Sequence, residues 1–93
     1  MSENRIGTST RIFKLNVTTK TIQLCAKNPK RTGLLVVNNS SVVVYILSAQ
    51  NQSASDGIPI AAGASYTNDT TTAELFIIAA SGTQDVRVEV DSS

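Results

Sequence analysis

Phe13, Leu15 and Val17 alternate with Lys14 and Asn16, the period of a strand that buries one face. Ile22 and Leu24 continue the pattern, with Thr21 and Gln23 on the other side. Val86, Val88 and Val90 repeat it against Arg87 and Glu89. Three further runs break the alternation, because both of their faces are apolar. The first pairs Leu34/Val36 with Leu35/Val37, and the second pairs Val42/Val44/Ile46 with Val43/Tyr45/Leu47. The third pairs Leu75/Ile77 with Phe76/Ile78. Ile58-Pro59-Ile60 and Ser65-Tyr66-Thr67 read as short extended pieces, the first at an edge because proline cannot donate to a ladder.

Between these runs stand turn residues. Asn28-Pro29, the four residues Asn38 to Ser41, the polar stretch 48–57, Asn68 to Thr72 and Ser81-Gly82 each break the pattern. The segment 38–41 reads as a four-residue hairpin loop joining the first two doubly apolar runs. No segment combines helical spacing with a cap. About seven or eight short strands with frequent turns predict an all-β fold, a single antiparallel β-sandwich or barrel. Residues 1–10 are polar and predict a flexible N-terminal arm, and 11–91 make the sandwich domain.

A two-layer sandwich buries one face of each sheet. Apolar side chains on the other faces then need a cover, since each forgoes about 1.5–3 kcal/mol in water. A neighbouring subunit is one cover, and the protein's own loop 48–63 is the other. The outward set is taken as Leu35, Val37, Val43, Tyr45, Phe76 and Ile78, the candidate interface residues. The opposite register would exchange this set with its alternates.

Composition adds a reason to expect company. Charged residues are 16% of the chain, below the usual ~25%, and Ser, Thr, Asn and Gln fill the gap. Such a surface repels its neighbours weakly. A net charge of +1 gives no long-range attraction to nucleic acid or anionic lipid. Lys27, Lys30 and Arg31 cluster around Asn28-Pro29 and read as a solvated loop, with contact to an acidic partner surface as the alternative. The N-terminus lacks the apolar stretch of a signal peptide, and no run is long enough to span a membrane.

Candidate chemistry is sparse. The chain has no histidine and a single cysteine, Cys25, which reads as a small core residue. A Cys–His pair, a histidine-held metal and an intrachain disulfide are therefore excluded. Asp56-Gly57 and Asn68-Asp69 are turn residues without a calcium-loop signature. The serines lack a nucleophile elbow, and no catalytic residue, metal or cofactor is expected. Tyr66 and the 48–57 loop are candidates for contact with a glycan.

Ordered blocks along the chain carry a resemblance. Asn28, Pro29, Arg31, Leu34, Val36 and Asn38 form the first, and Tyr45-Ile46 the second. Gly57-Ile58-Pro59-Ile60 with Gly63 form the third, and Ala80, Gly82-Thr83 and Asp85-Val86-Arg87-Val88 the last. Over residues 11–90 this order resembles small β-sandwich virion structural proteins of tailed bacteriophages, of the head-decoration, head-fibre or spike-base type. The resemblance implies a non-enzymatic protein located in the virion and made in the bacterial host cytoplasm. The expected function is a capsid decoration (cement) protein that binds and stabilises the outer head shell as a small homo-oligomer, a trimer or other small ring, with the major capsid protein or another virion protein as its partner. A tail or spike module that binds a host-surface glycan is the alternative.

Overall fold

A computed structural model describes residues 9–93. Among the described residues there are eight strands: β1 (Ser9–Val17), β2 (Ile22–Cys25), β3 (Arg31–Asn38), β4 (Val44–Leu47), β5 (Ile58–Ile60), β6 (Ser65–Asn68), β7 (Leu75–Ala79) and β8 (Gln84–Ser92). A single 3₁₀ turn, Ala54–Asp56, precedes β5. Residues 1–8 of the expected arm lie outside the described residues, while Ser9 and Thr10 already pair with Ser92 and Asp91.

The strands form two antiparallel sheets, ordered β1-β8-β3-β6 and β2-β7-β4-β5. β1 pairs with β8, β2 with β7, β3 with β6 and β4 with β5. The chain is thus a long double ribbon wound over itself, the jelly-roll form of the β-sandwich. The core lies between the sheets and holds Val17, Leu34, Val36, Val86 and Val88 from the first, and Leu24, Val44, Ile46, Ile60, Leu75 and Ile77 from the second. β8 and β1 present the faces their alternation predicts, with Val86 and Val88 buried and Phe13 and Leu15 half-buried beside them.

The three doubly apolar runs are β3, β4 and β7, three of the four inner strands. Inner strands have a neighbour on each side, so even their outward side chains are half-buried by adjacent rows.

One expectation is overturned. β3 and β4 do not make a hairpin, because they belong to different sheets. The segment between them arches across the sandwich, which lets Val36 and Val44 face one core from opposite sides. Asn38 fixes the arch. It is fully buried, and its Nδ2 donates to the carbonyls of Val42 (2.8 Å), Ile60 (2.9 Å) and Ala61 (3.2 Å). Its Oδ1 accepts from Ser40 Oγ at 2.6 Å. Its backbone carbonyl accepts from Gly63 N, whose φ of 75° belongs to the region glycine favours.

Arg31 is the second correction. The exposed loop expected for the basic cluster holds for Lys27 and Lys30 but not for Arg31, which is 5% exposed. Arg31 opposes Ser92 and Gly33 opposes Asp91, so β3 carries one extra residue at this bulge. By simple alternation Arg31 would point outward with Leu35 and Val37. The extra residue turns it inward. Its Nη1 donates to Ala26 O (3.0 Å) and Cys25 Sγ (3.3 Å), and its Nη2 to Thr71 O (3.0 Å) and Ala73 O (2.7 Å). The guanidinium ties the β2–β3 and β6–β7 links together. Cys25 is buried as expected, and burial raises its thiol pKa against the lowering charge of Arg31.

Candidate functional site: two outer faces of unlike chemistry

Residues directly opposite each other in neighbouring strands share a face. On the outside of the first sheet, Leu35 lies beside Glu89 and Val37 beside Arg87, with Ile12 and Lys14 completing those rows. Asp85 and Asp91 extend this charged face along β8. Arg87 grips Asp85 at two points, Nε to Oδ1 at 2.8 Å and Nη2 to Oδ2 at 2.9 Å, and Asn39 adds a third bond at 3.0 Å. The Arg87 hydrogen bonds are the main reason the Asp85 pKa falls to about 2.

The outside of the second sheet differs. Its strand positions are Gln23, Phe76, Ile78, Tyr45, Leu47 and Pro59, none of them charged. Val43 and Ala80 extend the face beyond the strand ends, joined by the bond from Ala80 N to Val43 O at 3.1 Å. Glu74 at the rim takes a hydrogen bond from Gln23 Nε2.

All six candidate interface residues therefore stand on outer faces, half-buried, opposite the core register. The structure brings four of them together, Val43, Tyr45, Phe76 and Ile78. Leu35 and Val37 sit on the other side, across two sheets packed about 10 Å apart.

The protein's own loop covers part of the second face. Leu47 is 1% exposed yet stands outside the core cluster. The loop ending at Gly57 closes over it: a Cβ at Gly57 would lie 2.7 Å from Leu47 Cδ2, 2.8 Å from Ile46 O and 2.9 Å from Tyr45 Cβ. Asp56 holds that loop by accepting from Ser53 N at 3.1 Å. Gly57→Ala is expected to cost about 1–3 kcal/mol through this overlap. Thermal unfolding measures it, and an unchanged melting temperature would show that the loop is not seated on β4.

Tyr66 points to the inner side of β6, opposite Val36, and its hydroxyl accepts from Asn68 Nδ2 at 3.0 Å. It meets the 48–57 loop at a cleft of about 210 Å³ with Gln52, Asp56 and Ile58. Among the described residues, no three His, Cys, Asp or Glu side chains are placed to hold a metal ion. Among these residues no helix is long and apolar enough to cross a membrane.

Sequence reasoning missed Arg31 and Asn38 as clamps. Both belong to the first block of the phage-like pattern, which was the available signal.

Fold and faces define a small jelly-roll sandwich with one charged and one uncharged outer face. No family model matches the chain, and no curated protein matches its sequence. Solved structures that share the fold include the following two. The stem and receptor-binding domain of the spike protein P1 from bacteriophage PM2 aligns with a TM-score of 0.63 at 14% identity, over 88% of this chain and 33% of that one. This chain thus spans about a third of the spike chain. A subunit of the disulfide-linked pili formed by Bacillus endospore appendages aligns with a TM-score of 0.50 at 14% identity, over 91% of this chain and 85% of that one.

Proposed function

We propose that the chain is a non-enzymatic structural protein of a bacteriophage virion, a decoration (cement) protein that lies on the outer head shell as a trimer. The observation that carries this reading is the contrast between the outer faces. The uncharged face of the second sheet, with Val43, Tyr45, Phe76 and Ile78, packs against the shell. The charged face of the first sheet, with Asp85, Arg87 and Glu89, stays in water. The fold shared with a phage spike domain supports the virion setting.

Magnitudes favour multiple copies. A face of four short strands at about 4.8 Å spacing covers roughly 300 Å². A stable pairwise interface needs about 800 Å² per partner. One copy would bind weakly, whereas linked copies add through effective concentration. Binding only the assembled shell then shifts the equilibrium away from disassembly.

Phe76→Lys and Ile78→Lys are expected to weaken binding to stripped particles at least roughly tenfold, as a desolvated charge would. The isolated variants keep a cooperative melt, because the residues stand outside the core. Particle co-sedimentation and calorimetry read the two effects. Wild-type binding by both variants would overturn the reading, and so would particles whose heat resistance does not depend on the protein.

A second reading is a tail or spike module that contacts a host-surface glycan. The meeting of Tyr66 with the 48–57 loop at one cleft favours it. Glycan-array binding lost in Tyr66→Ala, with particle stability unaffected, would select this reading.

A further inference from the structure

Charge is segregated along this sequence. No lysine or arginine occurs between Arg31 and Arg87, and no aspartate or glutamate between Glu3 and Asp56. The jelly-roll winding converts that segregation into a lateral polarity. β1 and β2 form one edge of the sandwich, and β5 and β6 form the other. The first edge carries exposed Arg11, Lys14, Lys20 and Lys27. The second carries exposed Asp56 and Asp69 and no cation.

The edges also differ in shape. β2 has four residues where β1 has nine, so the sheets part at the basic edge. They leave a cleft of about 320 Å³ walled by Phe13, Leu15, Leu24 and Val90, with Arg11 and Arg31 among its lining and no carboxylate. The Arg11 guanidinium lies 4.6 Å from the centre of the Phe13 ring. Arg31 Nε is buried there without an acceptor among the described residues. At the acidic edge, Ile58 is 52% exposed, and Asp56 stands two residues before it. Strand addition at that edge is disfavoured, because β5 has three residues and its central one, Pro59, has no N–H.

We propose that copies of this chain associate head to tail, the Asp56–Ile58 edge of one copy docking into the Arg11–Phe13 cleft of the next. Ile58 enters between apolar walls, and Asp56 faces Arg11. The two patches of such a contact differ, so repetition closes into a ring or extends as a filament. The contact supplies the means by which the proposed trimer closes, and it rests on that reading only for the ring's purpose.

Sedimentation velocity of the full chain tests it without particles. Association is expected at about 0.1 M salt and weaker at about 1 M, where screening shortens to a few ångström. Arg11→Glu and Asp56→Lys are each expected to weaken association at least roughly tenfold, and the double variant to recover it. Asp56→Lys also removes the Ser53 cap, so Ile58→Ser, which keeps that cap, is measured beside it and is expected to weaken association as well. Ile78→Lys on the shell-facing side is expected to leave association in solution unchanged. A monomer at every concentration in low salt would overturn the proposal. Single variants that associate like the wild type would overturn it too, as would a double variant no better than either single. A wild-type chain that associates in this way but does not bind stripped particles would count against the cement reading instead.

Discussion

Arg31→Ala is expected to lower stability by about 3–5 kcal/mol. The guanidinium is the shared donor to the carbonyls of Ala26, Thr71 and Ala73. Alanine leaves those carbonyls without that donor in partly buried places, where each costs about 1–3 kcal/mol. It also opens space beneath the two links that the side chain joins. In a domain of this size each kcal/mol moves the melting temperature by about 4–8 °C. A fall of roughly 12–40 °C is therefore expected in calorimetry. Arg31→Lys is expected to fall between, because an ammonium lacks the planar fork that spans both links. A melting temperature within a few degrees of wild type for Arg31→Ala would show that these links hold without the clamp.

Asn38→Asp is expected to cost about 3–5 kcal/mol at neutral pH, although the two side chains have nearly the same shape. The amide donates to the carbonyls of Val42, Ile60 and Ala61, and an ionised carboxylate would set an oxygen against all of them. The site is fully buried, so water cannot relieve the repulsion. Asn38→Ala removes the donors without adding charge and is expected to cost less, about 2–3 kcal/mol. Urea unfolding separates the two variants. Equal losses would show that the missing donors, and not the added charge, set the cost. Hydrogen exchange should quicken first in the β3–β4 arch and in the β5–β6 turn, the segments Asn38 joins.

These clamps mark where sequence reasoning stops. Arg31 sits among Lys27 and Lys30 and looks like the third member of a solvated cluster. Its burial follows from a bulge in β3, and a bulge depends on how β3 meets β8, strands about fifty residues apart in the chain. Asn38 looks like the first residue of a hairpin loop, because Asn-Asn-Ser-Ser suits a tight turn equally well. Local chemistry cannot distinguish a turn that returns along the same sheet from an arch that crosses to the other. The distinction is made by which strands arrive later to pair. β8 and β6 flank β3, and β7 and β5 flank β4.

Part of the candidate site was legible nonetheless, namely which side chains of one strand share a face. Alternation grouped Val43 with Tyr45 and Phe76 with Ile78, and it survives wherever a strand has no bulge, but in runs apolar on both sides it left open which group faces outward. Nothing in that alternation told Leu35 and Val37 apart from the others, since the pattern assigns faces within a strand and not strands to sheets. Leu47 looked equivalent to Tyr45, yet the loop ending at Gly57 covers one and leaves the other half-exposed.

Local patterning is enough to establish that this chain is all-β, which side chains of β1 and β8 face inward, and that three runs carry apolar residues on both sides. Those properties are local, set by side-chain period and turn residues within a few positions. Tertiary structure alone decided that the runs become inner strands of two different sheets, that an arginine and an asparagine are buried as clamps, and that cations and carboxylates gather at opposite edges. Each of these depends on pairings between distant strands, and pairing is settled by the core as a whole rather than by any one segment.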